Sequence, residues 1–135
     1  MTLDTSAVLA ILHDEPERAE FIRLIDQSPR RVISTVSVLE AAMVLVGRQG
    51  PDAGTDLELF LQKAAIRVVP FDEEQLYAAR TAFRRFGKGQ HPAGLNFGDC
   101  AAYALSQCSG EPLLYKGGDF AATDVLSARS GAGSE

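Results

Sequence analysis

Leu95-Asn96-Phe97-Gly98-Asp99-Cys100-Ala101-Ala102-Tyr103-Ala104-Leu105 decides how the rest of the chain reads. A polar start runs straight into an apolar stretch of small residues, which is the pattern of a buried helix with a carboxylate in its first turn. Asn96 stands where it can accept from the free backbone N–H groups of that turn, and Asp99 lies where the macrodipole favours negative charge. Taken alone, this is ordinary capping. A second meaning comes from three other acids, Asp4, Glu40 and Asp119, each just after or beside a short apolar run that reads as a buried strand.

On the C-terminal side, Pro112-Leu113-Leu114-Tyr115 reads as a strand and Lys116-Gly117-Gly118-Asp119-Phe120 as the turn that follows it. Val125-Leu126 reads as a short fifth strand, and residues 127–135, rich in Gly, Ser and Ala, as a disordered tail. On the N-terminal side, the loop 88–94 is preceded by a helix with Asp72-Glu73-Glu74 in its first turn and a basic end at Arg84 and Arg85. Ile66 to Pro70 is a strand, and Leu57, Leu59, Phe60, Leu61 and Ala64 mark a helical stripe after the loop Pro51 to Gly54. Ser37-Val38-Leu39-Glu40 has the spacing of a capping box opening a long apolar helix toward Gly47 or Gly50. Arg31 to Ser34 is a strand. Before it, Pro16 fits the first position of an amphipathic helix through Phe21, Ile22 and Ile25. Thr2-Leu3-Asp4 is a very short first strand, with Thr5-Ser6 as the cap of the apolar turn Ala7 to Leu12.

The chain of 135 residues, 46% of them hydrophobic, suits one domain with a single core and no staples, expected over residues 1–126. No apolar run approaches the roughly 20 residues of a membrane span, and the start lacks the basic and apolar regions of a signal peptide, which predicts a cytoplasmic protein with no membrane partner. Cys100 and Cys108 lie eight positions apart on one predicted helix, about 12 Å along its axis, too far for a disulfide. They read as reduced thiols. A net charge of −5 argues against the broad basic face of a typical nucleic-acid binder.

Short strands alternating with helices predict an α/β domain of three layers, helices on both faces of a central, mostly parallel sheet of four to five short strands. Ligands bind such sheets at the carboxyl ends of the strands. Asp4 and Asp119 leave strands there, and Glu40 and Asp99 lie in first turns of helices that begin near that edge. Four carboxylates in one pocket repel and call for a cation or a proton. Oxygen-only ligation suits Mg²⁺, with Mn²⁺ as a substitute.

These residues resemble the PIN domain, and within it the VapC-type ribonuclease toxins of bacterial toxin–antitoxin pairs. The resemblance spans nearly the whole chain and rests on Leu3-Asp4-Thr5-Ser6-Ala7, Ser37-Val38-Leu39-Glu40-Ala41, the run from His91 to Cys100, and Leu113 to Phe120. The ordered set with Asn96-Phe97-Gly98-Asp99 is the specific part. Gly118 departs from the pattern, since many relatives carry an acid there, and the first strand is shortened. The resemblance implies a Mg²⁺-dependent endoribonuclease with Asp4, Glu40, Asp99 and Asp119 as its catalytic acids. Asp4 and Asp99 would hold a metal that polarises a phosphate oxygen and lowers the pKa of a water, while Glu40 and Asp119 orient or deprotonate that water or hold a second ion. Arg84, Arg85, Lys88 and Lys116 are the candidates for phosphate contacts.

The same resemblance implies a cognate VapB-like antitoxin, and the pocket suggests inhibition by a C-terminal Arg or Lys placed among the four carboxylates. Leu9, Leu12, Phe21 and Ile25 would supply a groove for an amphipathic antitoxin helix, and the toxin is expected to form a homodimer. Two rival readings use the same residues. In an aspartyl phosphotransfer domain Asp4 would be phosphorylated and Lys116 would hold the phosphoryl group, but Ser6 stands where haloacid-dehalogenase-type phosphatases carry a second acid. A noncatalytic module would use the acidic pocket to capture a basic peptide. Ser6 reads as a cap and His91 as a loop residue, because no nucleophilic triad surrounds them.

Overall fold

The computed structural model describes residues 1–129. Four strands of two or three residues run parallel: β1 (Thr2–Leu3), β2 (Val32–Ser34), β3 (Arg67–Val69) and β4 (Leu113–Leu114). Their order is β3-β2-β1-β4, so that Thr2 is paired with both Val32 and Leu113. The chain advances from β1 to β3 through α1 (Thr5–Leu12), α2 (Arg18–Gln27), α3 (Thr35–Gln49) and α4 (Ala53–Lys63). It then returns across the sheet through α5 (Glu73–Phe86) and α6 (Phe97–Ser109) to set β4 on the far side of β1. Because crossovers keep one hand, reversing direction moves the helices to the other face. The reversal also leaves a switch point between β1 and β4, and in sheets of this kind ligands bind at the carboxyl ends of the strands at such a point.

Strands this short carry few ladder bonds, so side-chain burial holds the sheet. Alternation along β4 sends Leu114 into a core with Leu3, Ile33, Phe21 and Leu57, and Leu113 into a second core with Ala82, Phe86 and Tyr103. Leu3, Phe21 and Ile33 are completely buried, and each such side chain contributes roughly 1.5–3 kcal/mol of transfer free energy. The small residues of α6 let it pack closely against both α5 and the sheet, with Cys100 through Leu105 all buried. Gly110, at φ 69°, ends that helix in the left-handed region.

Several local expectations shift. Val125-Leu126 forms no fifth strand; Leu126 accepts from the Leu113 amide at 2.8 Å and Ser127 makes one bridge to Leu113. Residues 127–129 of the expected tail are held, because the Ala128 amide donates to Leu113 at 2.9 Å and Arg129 pairs with Glu20 at 2.8 Å over the Phe21 ring. The rest of that tail lies outside the described residues. Asp4 itself, rather than Thr5-Ser6, is the N-cap of α1. Helix α3 starts at Thr35 with Ser34 as its cap, so the Ser37 to Glu40 capping box does not form and Glu40 lies in the second turn. Phe21 and Ile25 are core residues, 0% and 2% exposed, and cannot line a groove, whereas Leu9 and Leu12 are half-buried. Among the described residues no helix is long and apolar enough to cross a membrane.

Candidate active site

Asp4 follows β1 directly, and its amide donates to the Leu114 carbonyl at 3.0 Å, which extends the β1–β4 pairing to the switch point. Its Oδ2 accepts from the Ser6 amide at 3.0 Å and from Ser6 Oγ at 2.6 Å. Ser6 Oγ in turn accepts from the Lys116 amide at 2.9 Å. One hydroxyl therefore ties the turn after β1 to the turn after β4. Burial pushes the Asp4 carboxyl up to about 6 and the Glu40 charge adds to this, while the Ser6 hydrogen bonds oppose it.

Asp99 enters from the other layer. Asn96 Oδ1 accepts from the Asp99 amide at 3.0 Å and Asp99 Oδ2 accepts from the Asn96 amide at 3.1 Å, a complete capping box. Burial pushes the Asp99 carboxyl up to about 7; the Asn96 amide opposes this, and the charges of Asp4, Asp119 and Glu40 add to it in that order. Asp99 thus caps its own helix while its carboxyl faces the charges of three other acids. Glu40 reaches the same place from α3: its Oε1 accepts from Thr5 Oγ1 at 2.7 Å, and its carboxylate lies against the bare Cα of Gly98. Asp119 is exposed at the first position of a 3₁₀ turn, Asp119–Ala122, anchored by buried Phe120.

The structure brings the other three predicted acids, Asp4, Glu40 and Asp119, within electrostatic reach of Asp99. Among the described residues no three His, Cys, Asp or Glu side chains close into a metal cage; the acids meet through their charges. The donor chemistry nonetheless fits a hard divalent cation, because every donor is a carboxylate oxygen. An opposite charge would also favour the ionised forms that burial and mutual repulsion disfavour.

The predicted phosphate contacts are placed differently. Lys116 Nζ pairs with Glu15 at 2.8 Å and Glu17 at 3.3 Å. Arg85 pairs with Asp124 at 3.2 Å and lies over the Phe86 ring, and Asp124 also accepts from Tyr103 Oη at 2.6 Å. Nearby carboxylates claim both cations. Arg84 leans on Thr81, and Lys88 is exposed at the end of α5. His91 Nδ1 accepts from the Ala93 amide and its ring meets Phe86 edge-on, which shapes its own loop. Burial and the Asp99 charge push the Cys100 thiol up to about 11, so it stays protonated. Sequence reasoning missed Thr5 and Gly98 as neighbours of Glu40; the local pattern marks Thr5 only as a cap and Gly98 as nothing in particular.

The PIN-domain family matches residues 1–126 of the chain. The chain belongs to the PIN-domain family. Within it, a ribonuclease VapC of Mycolicibacterium smegmatis is 49% identical over 125 residues, spanning 93% of this chain and 97% of its own length. Ribonuclease VapC30 of Mycobacterium tuberculosis is 46% identical, over 93% and 95% of the two chains. These identities set the chain among the VapC ribonucleases of the PIN family. The crystal structure of Mycobacterium tuberculosis VapC20, a toxin that cleaves the sarcin–ricin loop, superposes with a TM-score of 0.74 at 20% identity, over 93% and 95% of the chains. A toxin–antitoxin complex from Klebsiella pneumoniae gives 0.71 at 16% identity, over 94% and 96%. The last two likenesses are of fold, and they match the parallel sheet and two helical layers described above.

Proposed function

We propose that this VapC-family PIN domain is a cytoplasmic, Mg²⁺-dependent endoribonuclease, the toxin of a toxin–antitoxin pair, which cleaves RNA phosphodiester bonds by activating water at a four-carboxylate site. One observation carries the reading. Asp4, Glu40 and Asp119 come from three separate elements of the chain, yet all three charges act on Asp99 at the switch point. Asp4 and Asp99 would hold the ion, with Mn²⁺ as a substitute; when bound, it supplies Lewis-acid charge to the scissile phosphate. Glu40 and Asp119 orient the attacking water and take up its proton. Ser6 is no nucleophile in this scheme, since its hydroxyl is spent between Asp4 and the Lys116 amide. Lys88 offers phosphate contact directly, whereas Arg85 and Lys116 would have to exchange their carboxylate partners to do so.

The phosphotransfer reading loses its phosphate-holding cation, because the Lys116 ammonium is engaged by Glu15 and Glu17. Incubating the purified protein with total cellular RNA, with and without Mg²⁺, and sequencing the new ends tests the proposal. New ends that appear only with Mg²⁺ support it; identical RNA in both arms would favour capture of a basic peptide by the acidic cluster.

The partner proposals rest on the same surface chemistry. The antitoxin places a C-terminal Arg or Lys among the four carboxylates, and its apolar helix lies in the groove of Leu12, Ile22, Leu59 and Phe60, in place of one built on Phe21 and Ile25. An antitoxin whose C-terminal segment lacks every basic residue should bind without inhibiting. Leu39 and Met43, 62% and 67% exposed one turn apart on α3, offer the apolar surface on which a homodimer would close. Sedimentation of wild type against Met43→Glu reads that contact.

A further inference from the structure

Glu40 is long, flexible and rooted in the second turn of α3, so something must hold its carboxylate at the mouth of α6. A Cβ built on Gly98 would fall 2.4 Å from Glu40 Oε1 and 2.5 Å from Oε2. Those separations are far below van der Waals contact, and they show that the carboxylate occupies the volume a side chain at position 98 would take. The hydroxyl of buried Thr5 has one hydrogen to give, and its Oγ1 lies 2.7 Å from Glu40 Oε1, nearer than the alternative acceptor, the Ser37 carbonyl at 3.1 Å.

We propose that Gly98 and Thr5 are a positioning pair that seats the Glu40 carboxylate beside Asp99, an inference that rests on the ribonuclease reading above. Gly98 is the residue before Asp99, so its missing side chain is what lets an acid from α3 and an acid from α6 share one first turn. Nothing about α6 as a helix asks for glycine there. Glycine within a helix is less favourable than alanine, and Gly98 does not sit in a left-handed conformation. The clash would be with the far end of a flexible side chain, so alanine at this position leaves the fold intact and turns Glu40 aside.

The molecule contains its own control. Gly54 is the second residue of α4 as Gly98 is the second residue of α6, and a Cβ at Gly54 meets nothing within 4 Å. Gly54→Ala should melt at or a few degrees above wild type, as alanine in an open helical position does, and match it in Mg²⁺-dependent RNA cleavage. Gly98→Ala should melt within a few degrees of wild type, yet lose about 10²-fold in kcat with KM unchanged, the effect of about 1 Å of misplacement. Its crystal structure should show the Glu40 carboxylate off Thr5 and away from residue 98. Thr5→Val should lose about 10–100-fold, as removal of a group that orients an active carboxylate does, and Thr5→Ser should restore most of it. Wild-type kcat in both Gly98→Ala and Thr5→Val, or a Glu40 carboxylate unmoved in the Gly98→Ala structure, would overturn the assignment. Failure of the wild-type protein to cleave RNA would instead remove the ribonuclease reading, and the Gly98→Ala structure would still decide where Glu40 sits.

Discussion

Ser37-Val38-Leu39-Glu40 and Asn96-Phe97-Gly98-Asp99 carry the same local pattern, a cap-competent residue followed three positions later by an acid, and they fold differently. Asn96 and Asp99 close both bonds of a capping box, and the acid is tied to its own helix. Ser37 lies inside a helix that began at Thr35, and Glu40 is free to bond across to Thr5 of another element. The difference lies upstream. Ser34 ends β2 with an extended backbone and caps Val36 at 3.1 Å, so the helix is already under way when Ser37 is reached. A motif that satisfies a helix end thus binds its acid locally at α6, and the same motif displaced by one turn at α3 releases its acid to work at a distance.

If both acids serve the chemistry despite these different anchorages, Asp99→Asn and Glu40→Gln should each lower Mg²⁺-dependent cleavage by at least about 10²-fold. Asn retains an acceptor for the Asn96 amide, so Asp99→Asn keeps its cap. Cleavage by either variant within a few-fold of wild type would mean that its acid is structural only.

Stability should test the charge cluster next. The Asp99 carboxyl stands at about 7 and that of Asp4 at about 6, both above the roughly 3.9 of an unfolded chain. Between those values the native state binds more protons than the unfolded one, so this contribution is present in full below about pH 4 and is lost as pH rises to about 7. Metal-free wild type should therefore fall in melting temperature relative to Asp99→Asn as pH goes from 5 to 8, and Mg²⁺ should recover the loss for wild type alone. A gap between the two melts that is the same at both pH values, in EDTA, contradicts the charge cluster.

Smaller effects test the caps. Asn96→Ala and Ser34→Ala should each cost about 1 kcal/mol in urea unfolding, since each removes a side-chain acceptor from a helix start. Ser37→Ala should be neutral or stabilising by up to about 1 kcal/mol, because its hydroxyl is buried without a hydrogen-bond partner. A loss of about 1 kcal/mol at Ser37 would mean that α3 starts in solution where its capping-box pattern says.

These contrasts also mark how far the sequence could be read. Alternating apolar runs located the strands, and the acids at their carboxyl ends pointed to one edge, because strand direction and side-chain period are local properties. Helix starts were less legible where Ser34, Thr35 and Ser37 compete within four residues, and the choice among them depends on where β2 stops pairing. Arg85 and Lys116 read as phosphate contacts because their partners Asp124, Glu15 and Glu17 are distant in sequence. Gly98 was illegible for the same reason, as its meaning resides in the side chain of Glu40, which only tertiary packing brings there.

The position of β1 has a consequence for synthesis. This two-residue strand is central in the sheet, and Ser6 meets Lys116 across 110 positions of chain. Contacts of such sequence separation form only after a long loop has closed, and they are slow steps in folding. Asp4 must wait for a segment 110 positions beyond Ser6 before the turn around it is complete. In a nascent chain the acid at the end of β1 therefore stands apart from β4, and the cluster it joins assembles only once the turn around Lys116 is available to dock.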